Sequence, residues 1–170
     1  LQMASVFVTR TPLAALENLN PPTGTAALAV LSDWSLCFLD DTEHFEIHRL
    51  TREWVTQQKT FPDQRKAWAL KAADYFEGQP TWDDNELAKE YYEIAEAWEQ
   101  FATVSFRLEG HYRLIGFYPR ALELNQAVLS KPISEKTKAI AYNSIGLILQ
   151  LYGQLDNALA FYEQSLKTMQ

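Results

Sequence analysis

The sequence predicts a mainly α fold: a small domain of three helices and a β-hairpin, then a connecting helical region, then helical hairpins stacked in series. Three observations carry this reading. Residues 141–166, AYNSIGLILQLYGQLDNALAFYEQSL, space small and large side chains as two close-packed helices require. Over residues 1–60, short apolar-periodic segments alternate with turn residues. The 170 residues include only six Gly and seven Pro, and 47% are hydrophobic, which suits helices around a core.

From the start of the chain, residues 1–8 are mostly apolar and read as a first helix. Thr11 and Pro12 supply a capping residue followed by Pro at a first helical position. Leu13, Leu16 and Leu19 then recur at helical spacing. Pro21 to Gly24 marks a turn, and Thr25 caps a third helix running to about Trp34, with Leu28 and Leu31 on one face. SLCFL and EHFEI flank Asp40, Asp41 and Thr42, the pattern of a β-hairpin. A fourth helix, from about His48 to Lys59, is expected to turn Leu50 and Trp54 inward.

Three short helices, a hairpin and a closing helix have the order of a winged-helix domain. The segment ALAVLSDWSLCFLDDTEHFEIHRLTREWV resembles the winged-helix segment of NB-ARC/STAND signalling ATPases. Its "L…SL" pattern falls on Leu31 and Ser35-Leu36. The Met-His-Asp-type motif that opens the next helix falls on Ile47-His48-Arg49. The resemblance implies that His48 contacts the β-phosphate of ADP in the parent protein and holds a resting state. Arg49 stands where the family has an acid, so only His48 carries over. On its residues alone, His48 is equally a half-buried helix-start residue. Bacterial members of the family commonly follow this domain with tetratricopeptide (TPR) repeats.

Residues 61–100 form the connecting region. Trp68, Ala72 and Phe76 mark one amphipathic face, and Gly78, Gln79 and Pro80 end that helix. Asp83 and Asp84 place negative charge where the next helix begins. Leu87, Tyr91, Ile94, Ala95 and Trp98 read as one stripe. A helix break must fall between Glu86 and Ile115, but the sequence does not place it.

Residues 101–170 hold the repeats. Tyr142, Ile145, Gly146, Leu149, Ala158 and Tyr162 resemble the TPR signature, a helix–turn–helix unit of about 34 residues. Gly146 and Ala158 are small enough for two helices to approach, the larger residues fill the space around them, and Gly153 ends the first helix. A degenerate unit precedes it. Gly116 and Ala121 lie 37 residues before Gly153 and Ala158, with the linker at 131–135 accounting for the excess. There Glu109 stands in place of Gly146, and Asn125 in place of the second-helix aromatic. On the last helix Leu155, Leu159, Tyr162 and Leu166 form an apolar stripe that the hairpin partner does not cover. It is expected to meet a further repeat or another copy of the chain.

Composition narrows the function. The net charge is −7, and residues 1–60 carry four Lys/Arg against seven Asp/Glu. The helix expected at Thr25 to Trp34 has no Lys or Arg, so duplex DNA is not expected as a ligand. No phosphate-binding G-x-x-x-x-G-K-[ST] occurs; Gly110 and Gly116 are suitably spaced, but Phe117 and Tyr118 follow. His44 and His48 fall on different elements and do not form a metal pair. Cys37, without a second Cys, packs as a small apolar residue and suits a reducing compartment. The carboxylates lie along helix flanks, not as an acid/base pair. The Trp and Tyr residues recur at core spacing. No apolar run approaches about 18 residues.

The expectation is a non-catalytic regulatory and protein-interaction region of a STAND-type signalling ATPase. It carries no cofactor of its own, ATP or ADP being implied only for the parent. The hairpins bind a protein or peptide on their concave face, and the first domain docks on an adjoining nucleotide-binding domain; neither nucleic acid nor membrane is a partner. Without an initiator Met, and stopping within a repeat register, the chain reads as a piece of a longer cytoplasmic protein. The alternative is a stand-alone TPR adaptor with an N-terminal helical cap.

Overall fold

A computed structural model describes residues 1, 3–7, 9–19, 24–57 and 61–169, with the backbone alone at 24–26 and 61–63. The fold is mainly α, with a small wing and helical repeats. The chain divides into two compact units, Leu1–Pro80 with Ile94–Glu96, and Thr81–Glu93 with Ala97–Gln170.

The first unit opens with a 3-10 turn at Ala4–Val6, then β1 (Thr11–Pro12), α1 (Leu13–Leu19), α2 (Gly24–Asp33), β2 (Cys37–Leu39), β3 (His44–Ile47), α3 (Arg49–Thr56) and α4 (Phe61–Glu77). The sheet is antiparallel in the order β1-β3-β2. Thr11 pairs with Phe45, and Cys37 with Ile47. On β3 the side chains alternate as a half-covered strand requires, Phe45 and Ile47 buried and Glu46 exposed. The hairpin turn is held by the Asp40 carboxylate, which accepts from the backbone N–H groups of Thr42 and His44 at 2.9 and 3.1 Å. The Arg10 guanidinium also donates to Asp40. Hydrogen bonds from Thr42, then Arg10 and the two backbone groups, hold the Asp40 carboxyl well below the usual range.

The core of this unit is aromatic and alanine-rich. Phe7 meets the edges of Phe45 and Phe76 at 5.5 and 6.4 Å. Ala69, Ala72, Ala73 and Phe76 give α4 a narrow face on which α1 packs through Ala15, Leu16 and Leu19. Lys71 Nζ donates to the Leu19 carbonyl at 3.2 Å and stitches the pair. Cys37 is buried as the sequence suggests, its Sγ 3.5 Å from the Leu28 carbonyl.

Four expectations are corrected in this unit. The first helix is only the 3-10 turn at Ala4–Val6. Thr11 and Pro12 do not open a helix but form the edge strand β1; an edge tolerates Pro because it need not donate. Helix α2 starts at Gly24, so Thr25 lies inside it and is not its cap. Leu50 and Trp54 do not point inward: they are 61% and 60% exposed, and Val55 is buried instead. Residues 50/54 and 51/55 satisfy helical spacing equally, and α3 packs on the 3-10 turn and α4 through the second pair. The turn residues 21–23 and the expected helix end near Lys59 lie outside the described residues.

The second unit comprises α5 (Trp82–Ile94), α6 (Trp98–Leu114), α7 (Tyr118–Leu129), α8 (Glu135–Leu151) and α9 (Leu155–Thr168). The break that the sequence leaves unplaced is at residues 95–97. Helix α5 stops at Ile94, so Ala95 and Trp98 do not continue the Leu87–Tyr91 stripe. The connections α5–α6, α6–α7 and α8–α9 are the same three-residue device. Each has a left-handed central residue, Glu96 (φ 56°), Gly116 (φ 78°) or Gly153 (φ 75°). In each, the N–H after it bonds back to the helix: Ala97 to Tyr92, Phe117 to Tyr112 and Gln154 to Leu149, at 3.0, 2.8 and 2.9 Å. The sequence does not place this break because Glu takes the place of Gly.

That substitution stores strain. A non-glycine residue in the left-handed region costs about 1–2 kcal/mol, and glycine avoids most of it. Glu96 also pairs with Lys66 at 2.6 Å, but both side chains are about half exposed and the pair contributes little. Glu96→Gly is therefore expected to stabilise the chain by about 0.5–1 kcal/mol, read as a higher midpoint in thermal unfolding. A lower midpoint would contradict the strain.

Candidate interaction surfaces

In the first unit, the predicted site residue His48 is the N-cap of α3. Its Nδ1 accepts from the Leu50 N–H at 3.3 Å, and its own N–H donates to the Leu36 carbonyl at 3.3 Å. The side chain is exposed, 6.5 Å from the Phe38 ring between centroids. With Nδ1 committed as acceptor, the neutral ring carries its proton on Nε2, a donor of the kind a phosphate oxygen accepts. Beside it Leu1, Leu36, Leu50, Thr51 and Trp54 line an apolar groove of about 310 Å³. Residues Ser5, Arg49, Arg52, Glu53, Thr56 and Arg65 line a polar cleft of about 290 Å³. Arg49, at the motif's third position, pairs with Glu53 at 3.4 Å. His44 starts β3 and bonds within the wing turn, so the two histidines occupy different elements.

In the second unit, the six signature residues come together in the α8–α9 hairpin. Ile145, Gly146 and Ala158 are buried, while Tyr142, Leu149 and Tyr162 are half-buried. A Cβ on Gly146 would lie 2.7 and 2.8 Å from Tyr162 ring carbons and 3.2 Å from the Ala158 carbonyl oxygen. Glycine is thus required by the aromatic ring opposite. Tyr162 Oη donates to Gln150 Oε1 at 2.8 Å, and Ser165 Oγ to the Ala139 carbonyl at 2.8 Å.

The preceding hairpin, α6–α7, solves the same contact with the sizes exchanged. Ser105, Glu109 and Asn125 stand at the positions of Tyr142, Gly146 and Tyr162, and all three are buried. The bulk moves from the second helix to the first. Burial pushes the Glu109 carboxyl up, and Arg113 at 3.0 Å only partly offsets this. Among the described residues, Ser105 Oγ and Asn125 Oδ1 have no hydrogen-bond partner.

A polar hub that sequence reasoning missed joins three helices. Glu86 on α5 accepts from Lys89, from Tyr112 Oη on α6 at 2.9 Å, and from Arg120 on α7 at 3.2 and 3.3 Å. Beside it Arg107 donates to Asn85 at 2.9 Å, and the Trp82 and His111 rings stack at 4.0 Å. Burial raises the Glu86 carboxyl, but its hydrogen bonds and cationic neighbours outweigh this and hold it below the ordinary value. Only the Glu86–Lys89 spacing is visible locally.

Among the described residues, no group of three or more His, Cys, Asp or Glu could hold a metal ion. Nor is any helix long and apolar enough to cross a membrane.

No protein-family model matches the chain, and no curated protein does. A solved structure does match: a Signal Transduction ATPase with Numerous Domains (STAND) protein with a tetratricopeptide repeat sensor, from Pyrococcus horikoshii. The TM-score is 0.58 at 14% identity, over 98% of this chain and 30% of that one. The likeness is one of fold, and the chain spans under a third of the matched protein's length.

Proposed function

We propose that the chain is a non-catalytic regulatory and protein-interaction region of a STAND-type signal-transduction ATPase. The observation that carries this reading is the order of parts. A wing-bearing helical unit followed by helical hairpins matches one continuous fold across 98% of the chain, in a protein described as a STAND ATPase with a TPR sensor. The first unit is then a winged-helix domain of NB-ARC type, a reading supported by the element order and by the strand order β1-β3-β2. Its exposed Phe38, Leu50 and Trp54 dock on an adjoining nucleotide-binding domain, and His48 reports bound ADP there through Nε2. The α6–α7 and α8–α9 hairpins hold a protein or peptide on the concave face made by their first helices. The setting is cytoplasmic.

The isolated chain is expected not to bind ATP or ADP tightly, because it has no phosphate-binding loop. A calorimetric dissociation constant in the micromolar range, about −8 kcal/mol, would overturn that. In the full-length protein, His48→Ala is expected to shift the population toward the active, assembled state. Unchanged nucleotide exchange and assembly would remove His48 from the mechanism. The alternative, a stand-alone adaptor in which the first unit is a cap, is favoured if no phosphate-binding loop precedes the chain in its parent.

A further inference from the structure

The glycines of the second unit differ in why a side chain is excluded. Gly116 and Gly153 take the left-handed conformation at the turns. Gly146 makes room for the Tyr162 ring. Gly110 has neither reason. It lies inside α6 without a left-handed φ, it is half-buried, and a Cβ built on it would meet nothing within 4 Å. Glycine inside a helix is destabilising relative to alanine, and no contact within the chain offsets this.

The opening at Gly110 lies on the outer face of α6, one turn from Phe106, which is half-buried, and one turn from Leu114, which is 84% exposed. Helix α6 packs on α8, where the residues 37 on from Gly110 and Leu114 are Leu147 and Leu151, 36% and 54% exposed. The first helices of the two hairpins thus each present an apolar stripe, with a gap at Gly110. A complete hairpin, α8–α9, follows Leu114 and does not cover it. The occupant of this face is therefore not the next repeat.

Charge selects the occupant. Helices α6 and α8 carry four Lys/Arg against three Glu, a net of +1 in a chain of −7. The three carboxylates are all engaged. Glu109 is buried, and Glu99 accepts from the Ser134 N–H and Thr137 Oγ1 of α8 at 2.7 and 2.6 Å. Glu135 pairs with Lys138 at 2.7 Å. Arg107 and Arg113 stand three residues either side of Gly110, held by bonds to Asn85 and Glu109 at 2.9 and 3.0 Å. A second copy laid face to face would set these cations against their own kind, whereas an acidic segment complements them.

We propose that this face takes an acidic peptide segment of a protein partner, with one bulky apolar side chain seated over Gly110 among Phe106, Leu114 and Leu147, and an Asp or Glu beside it toward Arg107 and Arg113. The inference rests on the reading above that the first helices form the binding face, and it names the chemistry of what binds there.

Selection from a random peptide library displayed on phage, with the whole chain as bait, tests it. The selected peptides are expected to combine Leu, Phe or Trp with Asp or Glu and to bind with micromolar dissociation constants. Gly110→Leu fills the gap with a better helix former. It is expected to raise the thermal midpoint by about 2–4 °C while weakening those peptides by about tenfold or more. Leu114→Ser, at a side chain mostly in water, is expected to weaken them by about tenfold with helix content unchanged. Basic peptides, peptides that bind Gly110→Leu as tightly as the wild-type chain, or a lowered midpoint in Gly110→Leu would overturn the proposal. If such peptides still lose binding in Leu114→Ser or Leu151→Ser, the binding face stands and only its ligand chemistry is wrong. Peptides indifferent to both serine variants, or a library that yields no binder, would remove the binding face as well.

Discussion

Replacing Gly146 by Ala is expected to destabilise the last hairpin by about 1–2 kcal/mol, although alanine is the better helix former by about 1 kcal/mol. The added Cβ would lie 2.7 Å from a Tyr162 ring carbon. The ring cannot yield cheaply, being held on one side by its bond to Gln150. Overpacking of this kind costs about 1–3 kcal/mol, sometimes more, and exceeds the gain in helix propensity. The sign should reverse when the ring is gone. In a Tyr162→Asn background, which reproduces the Asn125 of the preceding hairpin, Gly146→Ala should be neutral or stabilising by up to about 1 kcal/mol. The coupling in the double-mutant cycle should then be about 1–3 kcal/mol, within the range for residues in contact. Chemical unfolding of the four chains reads it. Additive effects would mean that the ring and the glycine do not constrain each other.

That contact was legible in the sequence because it is a size rule at fixed offsets. Gly146, Ala158 and Tyr162 sit where two crossing helices need small and large residues, and no long-range information is required to see it. The wing was legible for a similar reason: Cys37–Leu39 and His44–Ile47 flank a turn of Asp and Thr that bonds to its own backbone. The break at residues 95–97 was hidden because Glu96 adopts the glycine conformation without being glycine. The facing of α3 is ambiguous in the sequence because Leu50/Trp54 and Thr51/Val55 are both one turn apart, and only the packing of α3 on α4 decides between them. In the degenerate hairpin, Glu109 was visible as a departure from the signature. Its compensation by Asn125 and Ser105 becomes apparent only when the three positions are compared in space.

The Glu86 hub was least legible, since Tyr112 and Arg120 lie 26 and 34 residues from it in the chain. One substitution at Glu86 removes its contacts to Lys89, Tyr112 and Arg120 together. Side-chain exposure is 22% for Glu86, 10% for Lys89 and 33% for Arg120, so the group is shielded but not dry. Removing one member of a buried charged set costs about 3–5 kcal/mol, while exposed pairs contribute at most about 1. Between these limits, Glu86→Ala is expected to cost about 2–3 kcal/mol, with Lys89, Tyr112 and Arg120 all losing their shared acceptor. The pH dependence gives an independent check. The folded-state pKa of Glu86 is lowered, so its contribution is fully present above the ordinary glutamate value of about 4.3. It is lost as pH falls through the lowered folded value, because the native state must then accept a proton that the unfolded chain already holds. The stability difference between the wild-type chain and Glu86→Gln should therefore be constant from neutral pH down to about pH 5 and shrink only in stronger acid. A gap that closes near neutral pH, or a Glu86→Ala cost below about 0.5 kcal/mol, would mean that the Glu86 group contributes little to holding α5, α6 and α7 together.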